Sequence, residues 1–343
     1  MNITCIDLYC GIGGLTAGLE ASGINVVAGL DIDKSCQWTY EANTKSKFIT
    51  ADISKLTPKE LDLYFPENSI KLLAGCAPCQ PFSSYGRTRK EEDSRWKLLE
   101  SFTKAVEVIK PDYVTMENVP GLSSHDIFKD FIRALEENSY SVKWDILKCE
   151  DYGVPQKRRR LVLIASKNGE VSLPEPDPEL YKTVRDTIGS LPFLKAGQAN
   201  KKDPIHTAAS LSEKNMRRIK HSRPGGTWKD WPESLVADCH KNESGKTYRA
   251  VYGRMSWDEP SPTMTTQCYG FGNGRFGHPS QDRAISLREA ALLQSFPLNW
   301  EFVEKDQKVK FTSIGRAIGN AVPPNLGKAI GKKLIELSQE HFQ

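Results

Sequence analysis

The chain contains no run of eighteen apolar residues, so no membrane-spanning helix and no membrane partner are expected. A basic start ahead of an apolar core is also missing. MNITCIDLYCGIGG enters a strand-like run at once, unlike a secretory signal, which points to a cytoplasmic protein. Metal-ligand spacing is scarce too. Cys76 and Cys79 make the only CxxC, and no second CxxC or His-x-x-x-His supplies the other half of a zinc site, so no metal is expected. The eight cysteines, in a reducing compartment, are not read as structural disulfides. No internal repeat or low-complexity tract stands out.

Hydrophobic residues make up 38% of the 343 and charged residues 26%, as in an ordinary globular protein with one large domain or two. The net charge of +4 says little, but its distribution says more. Between Lys195 and Arg249 there are twelve Lys and Arg against six Asp and Glu, interleaved with Trp228, Trp231 and Tyr248. Such a segment suits a polyanion with stackable bases, or else a solvated basic surface.

In the first half, short apolar runs alternate with helical spacing. Ile3 to Leu8, Val26 to Leu30, Ile70 to Gly75, Tyr113 to Met116 and Leu161 to Ala165 read as buried strands. Trp96 to Ile109 has apolar residues at helical intervals. Alternation of this kind predicts a mostly parallel sheet covered on both faces. After about residue 170 the chain becomes rich in Gly, Pro, Ser and Thr. Two helices are expected beyond it: Ser286 to Phe296, opened by a Ser286/Glu289 capping box, and Pro323 to Leu337.

Gly11, Gly13 and Gly14 follow the first strand and precede a helix, where a doubly wound sheet lets a ligand approach the backbone. Thr16 occupies the third glycine position of the dinucleotide pattern, so a pyrophosphate is not the obvious guest. Asp31 and Asp52 lie at the ends of the next two strand candidates, placed for ribose hydroxyls and a base amine. A nucleoside fits this set.

GCAPCQPFS (residues 75–83) follows another strand. Pro78 and Pro81 stiffen the loop, which suits a presented thiol better than a dithiol that must open and close. Glu117 and Asn118 end the strand after it, and alternation would put Arg158 and Arg160 of QKRRR on one face. Singly, each piece also reads as a buried cysteine, a surface turn or a solvated charge run.

DLYCGIGG, GCAPCQPFS, MENV, QKRRR, REAALLQSFP and GNAVPP occur in that order over nearly the whole chain. In this the sequence resembles the DNA (cytosine-5)-methyltransferases, in particular the bacterial restriction-modification type. The resemblance implies a Rossmann-like α/β domain dependent on S-adenosyl-L-methionine, residues 1–180 and 306–343, with a smaller target-recognition domain, 181–305. Cys79 would be the nucleophile. Glu117 would contact ring nitrogen 3 of a flipped-out cytosine, Asn118 would support the loop, and Arg158 and Arg160 would position the base and Glu117. The cofactor would be held by Tyr9, Gly11, Gly13, Gly14, Asp31, Ile32, Asp52, Ile53, Pro78, Leu98 and Asn320. Gln80, Ser83, Arg254, Thr265, Thr266, Gln267 and Arg275 would meet double-stranded DNA. Cys76 would be a bystander where the family commonly has glycine. Tyr9 replaces the usual phenylalanine, and Asp31 the usual glutamate. A monomer associated with the nucleoid through DNA, working apart from any cognate endonuclease, is expected. A dithiol oxidoreductase, an RNA-directed relative and a non-catalytic DNA-binding protein are the rivals.

Overall fold

The computed structural model describes residues 2–77, 96–243 and 245–342, with Trp96 described by its backbone only. Pro78, Cys79, Gln80 and Ser83, expected at the site, therefore lie outside the described residues. Two compact units emerge. The first comprises Met1–Tyr152, Arg159–Pro178 and Ala321–Gln343, and the second Gly153–Arg158 and Glu179–Asn320.

The first unit is built on strands β1 (Ile3–Leu8), β2 (Asn25–Asp31), β3 (Lys47–Thr50), β4 (Ile70–Gly75), β5 (Tyr113–Asn118), β6 (Ser141–Lys148) and β8 (Arg159–Ser166). Their order is β3-β2-β1-β4-β5-β8-β6. The pairs from β3 to β5 are parallel, while β8 runs antiparallel to both β5 and β6. The order reverses between β1 and β4. That switch point is where an open α/β sheet leaves a crevice at its carboxyl ends. Buried strands explain the unbroken apolar runs: all six residues of β1 and of β5 are buried.

Helices α1 (Gly14–Ser22), α2 (Gln37–Asn43), α3 (Pro58–Asp62), α4 (Trp96–Ile109) and α5 (Asp126–Glu137) belong to this unit. One core runs from Ile6, Leu8 and Leu73 through Phe102 and Phe131 to Leu163. The remaining helices are α6 (Val184–Ile188), α7 (Glu213–Lys220), α8 (Asp238–Lys241), α9 (Leu287–Leu293), α10 (Phe311–Asn320) and α11 (Pro324–His341). Of these, α11 completes the first unit by packing on α1. The approach is close enough to require glycine: a Cβ on Gly18 would sit 2.4 Å from the Pro324 carbonyl oxygen.

The second unit holds α6 to α10 and a two-stranded sheet of β7 (Gln156–Lys157) and β9 (Ser261–Pro262). This pairing draws residues 153–158 into it. The unit extends past 305 to Asn320, because α10 packs on α9. Ser286 caps α9 with Glu289 in a reciprocal capping box. Glu289 is fully buried and accepts from both terminal nitrogens of Arg283, each at 2.7 Å.

Candidate active site

The turn after β1 is shaped by left-handed residues. Tyr9 has φ 60°, Gly11 φ 53° and Gly13 φ 87°. Glycine meets this requirement without strain, whereas Tyr9 is held there by a hydrogen bond from its hydroxyl to the Leu98 carbonyl, 2.7 Å. Among the described residues, a Cβ on Gly11 would meet nothing within 4 Å, so they leave the space over this backbone open. The Gly11 amide donates to Asp31 Oδ2 at 2.9 Å, and the Asp33 amide donates to Oδ1 at 2.8 Å. Burial raises the Asp31 carboxyl above its usual range. Ile32 follows with an apolar side chain 67% exposed. Asp52 accepts from the Ser54 hydroxyl at 2.6 Å, and this bond holds its carboxyl below the usual range. Gly14 opens α1, and Leu98 is half-buried on α4. Ile53 differs from expectation: its side chain joins the core, which leaves only its backbone for a ligand.

Behind the turn is an acid the sequence reading did not assign. Asp7, on β1, is buried and accepts from Thr16 Oγ1 at 2.6 Å. That hydroxyl is 3.1 Å from Tyr40 Oη, which lies 2.7 Å from Ser46 Oγ. Desolvation pushes the Asp7 carboxyl up to about 7. Its Oδ1 is buried without a hydrogen-bond partner among the described residues. The sequence signal was an acid inside the apolar run ITCIDL.

Glu117 sits at the end of β5, only 3% exposed. Arg160 Nε on β8 lies 2.9 Å from Oε1, and the Cys76 thiol donates to Oε2 at 3.0 Å. The Arg160 approach is not aligned as a hydrogen bond, so buried Oε1 keeps acceptor capacity among the described residues. Asn118 donates from its side-chain amide to the Ala77 carbonyl at 3.0 Å and accepts from the Val119 amide at 2.8 Å. Asn118 thus grips the chain where it leaves β4. Cys76, expected to be a bystander, engages the candidate acid.

The expected pairing of Arg158 with Arg160 is corrected. Strand β8 begins at Arg159, and Arg158 belongs to the second unit. It is 1% exposed and donates to the carbonyls of Met264 (3.0 Å) and Gly319 (3.1 Å). Gln156 joins it, accepting from the Met264 amide at 2.7 Å. Arg254 is likewise corrected as a DNA contact. Its buried guanidinium donates to the carbonyls of Ile219, Ser222, His278 and Gln281, and pairs with Asp282. Arg275 is half-buried and bonded to the Gly226 carbonyl. Thr266 and Gln267 are exposed in the turn just after Met264, Thr265 is half-buried, and Asn320 is exposed at the end of α10.

An open sheet with a glycine turn at its switch point, acids at the ends of β1, β2 and β5, and a separate loop-rich unit defines a Rossmann-like methyltransferase. The chain belongs to the C-5 cytosine-specific DNA methylases, whose family model matches residues 3–336. It is therefore a DNA (cytosine-5)-methyltransferase. It is 50% identical over 334 residues to the Type II methylase M.HgiDII of Herpetosiphon aurantiacus, covering 96% of this chain and 94% of that one. With the Type II methyltransferase M1.HphI of Haemophilus parahaemolyticus it shares 32% over 345 residues, 98% of this chain and 88% of the relative. The fold is like that of a DNA modification methyltransferase encoded within an E. coli prophage, with TM-score 0.75 at 23% identity, covering 98% of this chain and 100% of that one.

Among the described residues, no helix is long and apolar enough to cross a membrane.

Proposed function

We propose that the protein is the modification enzyme of a Type II restriction-modification system. In this reading it methylates carbon 5 of a flipped-out cytosine within one short sequence of double-stranded DNA. The observation that carries the reading is Glu117, a buried acid with an oxygen open among the described residues, held at the end of β5 beside Cys76 and Ala77.

The methyl donor is S-adenosyl-L-methionine, which supplies an electrophilic sulfonium methyl group when bound. The residues around the glycine turn fit it: open space over Gly11, an acid at Asp31 for ribose hydroxyls, and the exposed apolar face of Ile32 for an adenine ring. Gly13, Gly14, Tyr9, Leu98 and the backbone at Asp52 and Ile53 complete the cradle.

Carbon 5 of cytosine is a poor nucleophile. The Cys79 thiolate adds to carbon 6, and the ring's electron pair shifts so that carbon 5 takes the methyl group. Glu117 donates a proton to ring nitrogen 3 as negative charge develops there and takes it back when the ring is restored, and Arg160 holds Glu117 in place. A base then removes the carbon-5 proton, and the bond to Cys79 breaks to restore the ring. Taking the cytosine out of the stack costs a few kcal/mol. Gln80, Ser83, Thr265, Thr266, Gln267 and Arg275 would be the groups that meet the DNA. The enzyme works as a monomer in the cytoplasm, on the nucleoid, apart from its cognate endonuclease.

The test is base-resolution mapping of 5-methylcytosine in plasmid DNA from a host without its own cytosine methylases. Wild type should mark one short recurring sequence and block its cleavage by the matching endonuclease, and Cys79→Ala should mark none. A folded wild-type protein that leaves DNA unmarked would overturn the reading.

A further inference from the structure

We propose that Cys76 is a positioning residue for methyl transfer: its thiol fixes the carboxylate of Glu117 in the orientation that meets the cytosine. This rests on the reading of Glu117 as the acid that contacts the base. The sheet imposes the juxtaposition. In the parallel β4–β5 pair, Gly75 stands opposite Met116, so the next residue on each strand brings Cys76 beside Glu117. The Cys76 amide continues the ladder by donating to the Leu8 carbonyl at 3.2 Å, which fixes the backbone that carries the thiol.

Rotation about the last bond of a glutamate side chain is soft and roughly two-fold. Arg160 Nε, 2.9 Å from Oε1 and off-line, holds the carboxyl group by charge without a directional bond to fix its plane. A donor on the other oxygen removes the freedom, and Cys76 Sγ supplies it at 3.0 Å. The carboxylate plane is then set from both ends by groups on β8 and just past β4. Oε1 is left to carry the proton that meets ring nitrogen 3. A glycine at position 76 would bring no such donor.

The experiment uses the full chain and a duplex carrying the mapped site. It compares kcat and KM for Cys76→Ala, Cys76→Ser and Glu117→Gln, with thermal melting of each. Cys76→Ala should lower kcat roughly three- to tenfold, the worth of one hydrogen bond to a carboxylate, with both KM values within about twofold and an unchanged melting temperature. Cys76→Ser should recover most of the loss, because a hydroxyl donates as a thiol does. Wild-type kcat in Cys76→Ala overturns the proposal, and so does a Cys76→Ser variant as slow as the alanine variant. If Glu117→Gln keeps full kcat, the reading of Glu117 itself has failed and the role of Cys76 falls with it. A slow Glu117→Gln beside a fast Cys76→Ala overturns the role of Cys76 alone.

Discussion

The two units bury charge in opposite ways. In the first, the buried charges near the carboxyl ends of the sheet are acids, and each keeps an oxygen without an aligned donor among the described residues: Oδ1 of Asp7 and Oε1 of Glu117. In the second, buried arginines spend their terminal nitrogens on the fold. Arg158 and Arg254 tie loop carbonyls together, and Arg283 forks onto Glu289. A saturated buried charge is scaffold, since removing it strands its partners. A buried acceptor left open has been kept for something that arrives, because burial without a partner otherwise costs stability.

The largest effect should come from Glu117. Glu117→Gln keeps the size of the side chain and removes its acid. It should lower kcat by roughly a hundred- to a thousandfold, in line with losing one acid–base or charge-stabilising group, and leave the denaturation midpoint near that of wild type. Single-turnover methyl transfer and a denaturant titration check both halves. A stability loss with kcat preserved in the folded fraction would move Glu117 to the scaffold class.

Much of the first unit was legible because its strands are buried on both faces. ITCIDL and YVTMEN read as continuous apolar runs, and the glycine turn and acids fall at their ends. Strand β6 was missed because it is an edge strand: SVKWDILK is mostly exposed and mixes lysine and aspartate with its apolar residues. The second unit was legible only at α9, through its capping box. Its loops are tied by arginine-to-carbonyl bonds, and nothing in a sequence separates an arginine that bonds backbone from one that reads a base. Arg254 was misassigned for that reason. Arg158 was placed on one face with Arg160 because period-two alternation was carried across the break between β7 and β8.

Asp7 sharpens the comparison through pH. Its carboxyl is raised from 3.8 in an unfolded chain to about 7 in the fold. Between those values the folded state holds the extra proton, so this group makes stability fall as pH rises, with no further change above the upper value. Asp7→Asn removes the proton exchange. Relative to wild type, the variant should gain about 3 kcal/mol between pH 5 and pH 8, two units of the shift at 1.36 kcal/mol each. Urea titrations at both pH values read the difference directly. Parallel pH profiles would mean that Asp7 titrates in the fold as in the unfolded chain.

The smallest effect tests the scaffold side, at the arginine two residues before Arg160. Arg158→Ala leaves the carbonyls of Met264 and Gly319 without this donor in a buried setting, which should cost about 2 kcal/mol. The loss should appear as a lower denaturation midpoint, with turnover per folded molecule much less affected. Arg158→Lys should recover only part of it, because one ammonium cannot fork to both carbonyls as a guanidinium does. Arg160→Ala should behave the other way: a modest stability change, and a fall in kcat as Glu117 loses the cation 2.9 Å from Oε1. If Arg158→Ala instead melts like wild type and loses turnover, Arg158 joins Arg160 in the site, and the division between open acids and carbonyl-tying arginines fails there.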